Sequence, residues 1–159
     1  MNYNEYLVNR LREVLLSGKW VVGTNFKEQL EDLTWTEATK QVENFNSISS
    51  ITFHINYYLS GVMDVFKGGE LTIRDKYSFD APEIKSEREW NLRKEKLVKD
   101  SEDFIQLVRN MEPQRLMDVF VKEEYGSYYR SIDVIIEHTY YHLGQIILIK
   151  KKMRAKSED

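Results

Sequence analysis

Apolar side chains recur every three or four positions along four long segments of the chain, which is the spacing of one face of an α-helix. The predicted helices span residues 3–17, 47–67, 86–111 and 131–153. Gly18, the pair Gly68-Gly69 and Pro113 follow the first three segments, and glycine and proline commonly mark helix ends. Four amphipathic segments of this length predict an all-α chain folded as a four-helix bundle, with long connections between the helices.

The first long connection, residues 19–46, has a less regular pattern. It favours two short helical pieces, one at 26–33 and one at 34–45. Thr34 or Thr36 would cap the second piece, because a threonine hydroxyl can accept a hydrogen bond from a free amide at a helix start. We therefore expect these residues to pack on the bundle as short helices and not as a fifth long one.

The second connection, residues 68–85, is longer than most loops in compact domains, and loops of this length are often lids or binding loops. It contains Tyr77 and Phe79, whose rings would fold back onto a pocket if the segment is a lid. The alternative is a loop that merely wraps the bundle. The sequence pattern leaves both interpretations open. A third connection, 116–129, is expected to contain a short helix.

Length and composition are those of one ordinary globular domain, which we assign to residues 1–159. Hydrophobic residues make up 42% of the chain, which argues against intrinsic disorder. The chain has 23 Lys and Arg residues against 26 Asp and Glu residues, for a net charge of −3. A chain with this charge balance lacks the basic surface by which proteins bind nucleic acids or anionic membranes. We therefore expect neither as a partner.

Cysteine is absent, which excludes disulfides, Cys-ligated metals and a cysteine nucleophile, and is typical of a reducing cytosol. The polar start MNYNEYLVNR has no signal-peptide core, and no apolar run approaches the ~20 residues of a membrane helix. These features predict a soluble, cytoplasmic protein. The run Lys150-Lys151-Lys152, with Arg154 and Lys156, looks like a basic patch. We interpret it as charge that complements the C-terminal dipole of the last helix.

All three histidines of the chain fall on the predicted inward faces of helices. His138 and His142 are four residues apart, so their Cβ atoms should lie about 5–6 Å apart, and both rings can reach one metal ion. His54 lies on the apolar stripe of the second helix. A single buried histidine is usually a core residue, but one metal ion would satisfy three buried imidazoles at once. Three protein ligands are also typical of catalytic sites, in which another position stays open.

Signatures of several other enzyme classes are missing. In zinc proteases a glutamate follows the first histidine of the pair and acts as general base, whereas Thr139 follows His138 here and Glu137 precedes it. Glu137 is rotated by about 100° around the helix from His138. The chain also lacks a G-x-S-x-G nucleophile elbow and a glycine-rich phosphate loop. A zinc protease, a serine hydrolase and a phosphate-loop protein are therefore disfavoured.

The residues around the histidines resemble a known family. The runs SSITFHI at 49–55 and HTYYHLGQ at 138–145 are similar to the DinB/YfiT-like superfamily, and the resemblance covers essentially the whole chain in helix order and histidine placement. It implies a four-helix bundle with a three-histidine metal site, whose ligands here would be His54, His138 and His142. Some relatives are thiol transferases that use bacillithiol or mycothiol, others are isomerases or hydrolases, and homodimers are common.

The resemblance and the residues together predict a metal-dependent transferase or hydrolase. The metal would be Zn²⁺ or Ni²⁺, because neutral imidazole suits both, and it would activate water or a thiol. We expect a small-molecule substrate, with a low-molecular-weight thiol as the candidate cosubstrate, and a homodimer. The alternative is a non-catalytic metal-binding bundle of a stress-response or ligand-binding type.

Three further residues are candidates for supporting such a site. Tyr58 and Tyr141 follow His54 and His138 by one helical turn and would line the open side of the metal. Gln145 would support the neighbouring histidine through a hydrogen bond. Each of the three also fits ordinary packing equally well, so none is assigned a catalytic role.

Overall fold

The computed structural model describes residues 2–155, which form an all-α bundle. The helices are α1 (Tyr3–Arg12), α2 (Phe26–Glu31), α3 (Trp35–Thr39), α4 (Ile48–Phe66), α5 (Glu87–Arg109) and α6 (Tyr128–Ala155). Residues 2–155 contain no β-strand, only an isolated bridge between Val119 and Ser127. The predicted fold class is therefore confirmed, although α2 and α3 are shorter than the predicted pieces at 26–33 and 34–45. Within the same range, no helix is long and apolar enough to cross a bilayer.

The first helix extends beyond its α-helical part. A π-helical turn at Glu13–Ser17 continues α1, so that the two together cover the predicted segment 3–17. Gly18 ends the helix as predicted, and its N–H donates to the Glu13 carbonyl at 3.2 Å, the i to i−5 bond of a π turn. Gly18 has an extended backbone with φ −86° and ψ 161°. Its role therefore does not depend on a left-handed conformation.

Hydroxyl caps determine where α3 and α4 begin. The Ser47 Oγ accepts from the Ser50 N–H at 3.1 Å, which satisfies an amide that has no partner within the helix. Ser47, the first residue of the predicted segment 47–67, is thus the cap of α4 and not part of its buried face. Thr34, and not Thr36, caps α3, where Glu37 completes a capping box by accepting from the Thr34 N–H.

The core is formed where α4 packs against α5 and α6, and where α1 packs against the same two helices. Trp90 and Phe104 of α5 and Phe26 of α2 are among the largest fully buried side chains. The Trp90 indole N–H donates to the Leu33 carbonyl at 2.9 Å, which joins the segment around α2 to the bundle. Burial of each such side chain stabilises the fold by about 1.5–3 kcal/mol.

The lysine-rich end of α6 is attached to α2. Lys150 is only 6% exposed, and its ammonium group donates to the Gln29 carbonyl at 2.7 Å and to the Asp32 carboxylate at 2.6 Å. Arg154 pairs with the same carboxylate at 3.0 Å. Lys150 is therefore an anchor between two helices and not part of an exposed patch. Lys156 lies outside the described residues.

Candidate metal centre

Three imidazoles converge between α4 and α6. His54 lies in the middle of α4, and His138 and His142 lie one turn apart on α6. The His138 Nε2 is 3.1 Å from the His54 Nε2 and 3.0 Å from the His142 Nε2, and the three ligand atoms all lie within 4.8 Å of one another. The convergence predicted from the sequence is confirmed. That the three rings bind a metal stays a prediction.

The apolar stripes that pack the helices also orient the histidines. Ile135 and Ile146 share the inward face of α6 with His138 and His142, and both isoleucines are buried. Residues four apart lie on the same side of a helix, so the two rings of α6 point in one direction. His54 is 6% exposed and His142 is 5% exposed, which removes both from bulk water.

Oxygen acceptors hold the outer nitrogens of two of the rings. The His54 Nδ1–H donates to the Ser78 carbonyl at 3.2 Å, and the His142 Nδ1–H donates to the Gln145 Oε1 at 2.7 Å. In a neutral imidazole, a protonated Nδ1 leaves Nε2 with a free lone pair. The predicted support from Gln145 is therefore present as a contact. Ser78 was not predictable from the sequence, because a backbone carbonyl in a loop carries no side-chain signal.

Burial disfavours protonation of all three rings. Loss of hydration, followed by the neighbouring His142, lowers the pKa of His54 to about 4. Loss of hydration, followed by the two neighbouring imidazoles, lowers the pKa of His138 to about 4. Burial also lowers the pKa of His142. At neutral pH the rings are therefore uncharged, which is the state in which imidazole binds metals.

The proton positions fit a bound cation better than a network of hydrogen bonds. His54 and His142 both carry their proton on Nδ1, so neither Nε2 is a donor. The His138 Nε2 carries at most one proton, which can be directed at only one of its two neighbours. At least one of the two contacts at 3.0–3.1 Å therefore has no donated proton and leaves a ring lone pair unsatisfied, and a bound cation would satisfy that lone pair. These separations are also close to the roughly 3.3 Å between two nitrogens bonded to a tetrahedral Zn²⁺ at about 2.0–2.1 Å.

The two tyrosines named as candidates for the site both pack on the imidazoles, while a role beside a metal stays a prediction. Tyr58 meets the rings of His54 and His138 edge-on, with centroid distances of 5.0 and 5.2 Å. Tyr141 meets the His142 ring edge-on at 4.9 Å and is 64% exposed. Tyr58 is therefore a partly buried wall of the centre, while Tyr141 lies at its solvent side.

The connection after α4 folds back over the centre. Phe79 stacks on His54 with 3.9 Å between ring centroids and 13° between ring planes, next to the Ser78 carbonyl that accepts from the same ring. Tyr77 remains 47% exposed, with the Lys76 ammonium 4.6 Å from its ring centroid. Phe79, and not Tyr77, therefore packs on the centre, and the role of the connection as a lid stays a prediction.

Hydrogen bonds hold this connection on α4. The Tyr58 hydroxyl donates to the Asp75 carboxylate at 2.7 Å. The Tyr57 hydroxyl donates to the Arg74 carbonyl at 3.0 Å and accepts from the Arg74 N–H at 2.7 Å. Two consecutive tyrosines of α4 therefore fix two consecutive residues of the connection, and they place its next few residues beside the imidazoles.

The fold and the centre define a class of protein, the α-helical bundle with a buried three-histidine cluster between two of its helices. The family model of the DinB superfamily matches residues 22–146, a range that makes up most of the chain and contains all three histidines. The chain belongs to the DinB superfamily. No curated protein and no solved structure shows a significant match to it.

Proposed function

We propose that this protein is a metal-dependent enzyme of the transferase or hydrolase type. His54, His138 and His142 would hold one Zn²⁺ or Ni²⁺ ion, since neutral imidazole is a good ligand for both. A metal held by these residues would lower the pKa of a coordinated water or thiol and would so supply a nucleophile near neutral pH. The observation that carries the proposal is the convergence of three uncharged ring nitrogens, with 3.0 and 3.1 Å between neighbours.

The number of donors favours a catalytic over a structural metal. Closed structural zinc sites normally have four protein ligands, whereas catalytic sites often have three and leave a position for water or substrate. Across residues 2–155, the three histidines are the only group of three or more potential metal ligands, and no carboxylate belongs to it. A metal held here would therefore keep a coordination position for water or a substrate.

The surrounding residues would hold the rings in place and limit the access of water. The Ser78 carbonyl and the Gln145 amide fix the proton of two rings on Nδ1, which keeps the inner nitrogens free. Phe79 and Tyr58 cover two sides of His54. Membership of the DinB superfamily, in which thiol transferases occur, supports a low-molecular-weight thiol as cosubstrate and a small molecule as substrate.

The first test is the binding of metal. Wild-type protein titrated against a chromophoric chelator should bind one Zn²⁺ or Ni²⁺ per chain. His142→Ala should lose more affinity than the roughly 10–100-fold that removal of an outer hydrogen-bond partner costs, because it removes a ligand. Glu137→Ala, which removes an exposed carboxylate beside His138 on the same helix, should bind as the wild type does. Failure of the wild type to bind, or normal binding by His142→Ala, would contradict the proposal.

The second test separates a catalytic from a structural role. Thermal unfolding of the wild type and His142→Ala is followed by circular dichroism, with and without a chelator. Four helices supply the core, so we expect helicity to remain and the variant to lose about 1–3 kcal/mol of stability. Loss of helicity on metal removal would instead indicate the alternative, a non-catalytic metal-binding bundle.

The third test is activity. Metal-loaded protein is screened for thiol transfer to electrophiles and for hydrolysis of small esters and amides. Turnover should disappear in His142→Ala and persist in Glu137→Ala, because only the first change affects a ligand. Turnover that survives in metal-free His142→Ala would show that the histidine centre is not the active site.

A further inference from the structure

A cleft of about 640 Å³ lies beside the histidine centre, where α4 and α6 meet the connections that pack on them. Tyr58 forms the wall between the two, since it lines the cleft and its ring lies 5.0 Å from His54 and 5.2 Å from His138. Val134 and Ser131, one and two turns before His138 on α6, form another wall. The volume falls within the range of about 300–1,000 Å³ that is usual for small-molecule sites.

The interior of this cleft is mainly apolar. Val62 of α4 and Phe120 of the connection before α6 are buried and line it. Leu71 and Ile73, from the connection after α4, add two further aliphatic side chains. Such a surface favours a ligand with a hydrocarbon or aromatic body, because contact removes apolar area from water on both sides.

One largely buried residue of the cleft, Ser131, has a hydroxyl without a partner in the described part of the chain. Ser131 is only 8% exposed, and its N–H donates to the Ser127 carbonyl at 2.9 Å. Its hydroxyl lines the cleft and makes no hydrogen bond to another residue in the described part of the chain. The hydroxyl is not one of the fully buried atoms that lack a partner, so solvent or a ligand in the cleft can reach it.

The rim of the cleft carries an excess of negative charge. Asp75, Glu123 and Glu124 line it together with one cationic side chain, Arg130. Arg130 is already paired with acidic residues of its own helix, and Glu124 is paired with Lys122 at 2.5 Å. Asp75 and Glu123 therefore have no cationic partner within residues 2–155, and they leave the rim attractive to a positive charge.

We propose that this cleft binds an amphipathic primary amine, with the apolar body inside and the ammonium group between the Ser131 hydroxyl and the rim carboxylates. A tyrosine ring of the cleft wall would add cation–π attraction to the ammonium group. Next to the rim, one ammonium group is already held in this way, since the Lys122 Nζ lies 4.5 Å from the Tyr125 ring centroid and 2.5 Å from the Glu124 carboxylate. This inference rests on the proposed function in one respect: the bound amine would be a substrate or cosubstrate of the neighbouring metal centre.

Three probes with the same aromatic body test the charge preference: 2-phenylethylamine, 3-phenylpropanoate and 2-phenylethanol. Binding is measured by chemical-shift titration at neutral pH, on metal-free and on metal-loaded protein. 2-Phenylethylamine should bind about tenfold or more tightly than 3-phenylpropanoate. The two rim carboxylates attract the ammonium group of the amine and repel the negative charge of 3-phenylpropanoate. The shifted signals should include those of Ser131 and Val134.

Point variants test the individual contacts. Ser131→Ala and Glu123→Gln should each weaken binding of the amine by about threefold to tenfold, and Glu123→Gln should leave 2-phenylethanol binding unchanged. Val134→Phe should abolish binding of all three probes by filling the cleft, and its position is 43% exposed, so the fold should tolerate it. Glu102→Gln, an exposed carboxylate of α5, is the matched control and should have no effect.

Equal affinity for the amine and the carboxylate, tighter binding of the carboxylate, or absence of amine binding would overturn the proposal. Amine binding that is unchanged by both Ser131→Ala and Glu123→Gln would also overturn it. Metal titrations separate the two proposals, because the cleft variants should bind Zn²⁺ as the wild type does, while metal-free His142→Ala should still bind the amine. Loss of metal binding with amine binding retained would contradict the proposed function alone, and the reverse result would contradict this inference alone.

Discussion

Gly61 of α4 lies where the connection after that helix packs against it, and Gly61→Ala should therefore loosen the cover of the histidine centre. A Cβ at this position would lie 2.4, 2.7 and 2.9 Å from three side-chain atoms of Ile73. Real Cβ contacts are not this short, so Ile73 has to withdraw. Since Ile73 is only half-buried, we expect the connection to lift and the helix to remain intact.

The size of the effect follows from two opposing contributions. Alanine favours the interior of a helix over glycine by about 1 kcal/mol, while overpacking of this kind typically costs about 1–3 kcal/mol. Gly61→Ala should therefore lower the free energy of unfolding by up to about 2 kcal/mol. Gly144→Ala in α6 is the matched control, because a Cβ there meets nothing within 4 Å. It should stabilise the protein by up to about 1 kcal/mol.

The assay is urea unfolding of the metal-free wild type and both variants, followed by metal titration of the same samples. The difference between the two variants isolates the packing cost, because both make the same change within a helix. If the connection lifts, the contacts of Ser78 and Phe79 with His54 weaken, and metal affinity should fall by about 10–100-fold in Gly61→Ala only. Unfolding free energies that agree within about 0.5 kcal/mol between the two variants would refute the reasoning.

Three further predictions concern stability and assembly. Burial alone would raise the pKa of Asp100, but hydrogen bonds, led by that from Lys96 at 2.6 Å, hold this pKa below its ordinary value. The carboxylate therefore stabilises the fold above the unfolded pKa of about 3.9. The stability lost in Asp100→Asn should be largest at neutral pH and shrink as the pH falls below that value, and a constant difference down to low pH in urea titrations would contradict this. Lys150→Met should cost about 1–3 kcal/mol in urea unfolding, because it leaves the Gln29 carbonyl unpaired in the interface between α2 and α6, whereas Lys151→Met, at an exposed position, should cost almost nothing. Light scattering should show the homodimer that the family resemblance implies, and a monomeric mass at micromolar concentration would exclude it.

The sequence by itself determined the helices and the alignment of the three histidines. The apolar period specifies which side of a helix is buried, so His54, His138 and His142 could be placed on inward faces without coordinates. The spacing of four between the last two brings their rings to one side of α6. The glycines at the helix ends and the presence of the long connections were also predictable, because they depend on residues close together in the chain.

Only the tertiary structure decided which residues from other parts of the chain surround these histidines. The carbonyl that orients His54 belongs to Ser78, 24 residues away, and neither residue type signals the pairing. Lys150 looked like part of an exposed lysine run, yet its ammonium group bonds to Gln29, 121 residues away. A local pattern specifies that a face is buried but not what it meets, because the partner depends on how every other helix and connection packs at the same time.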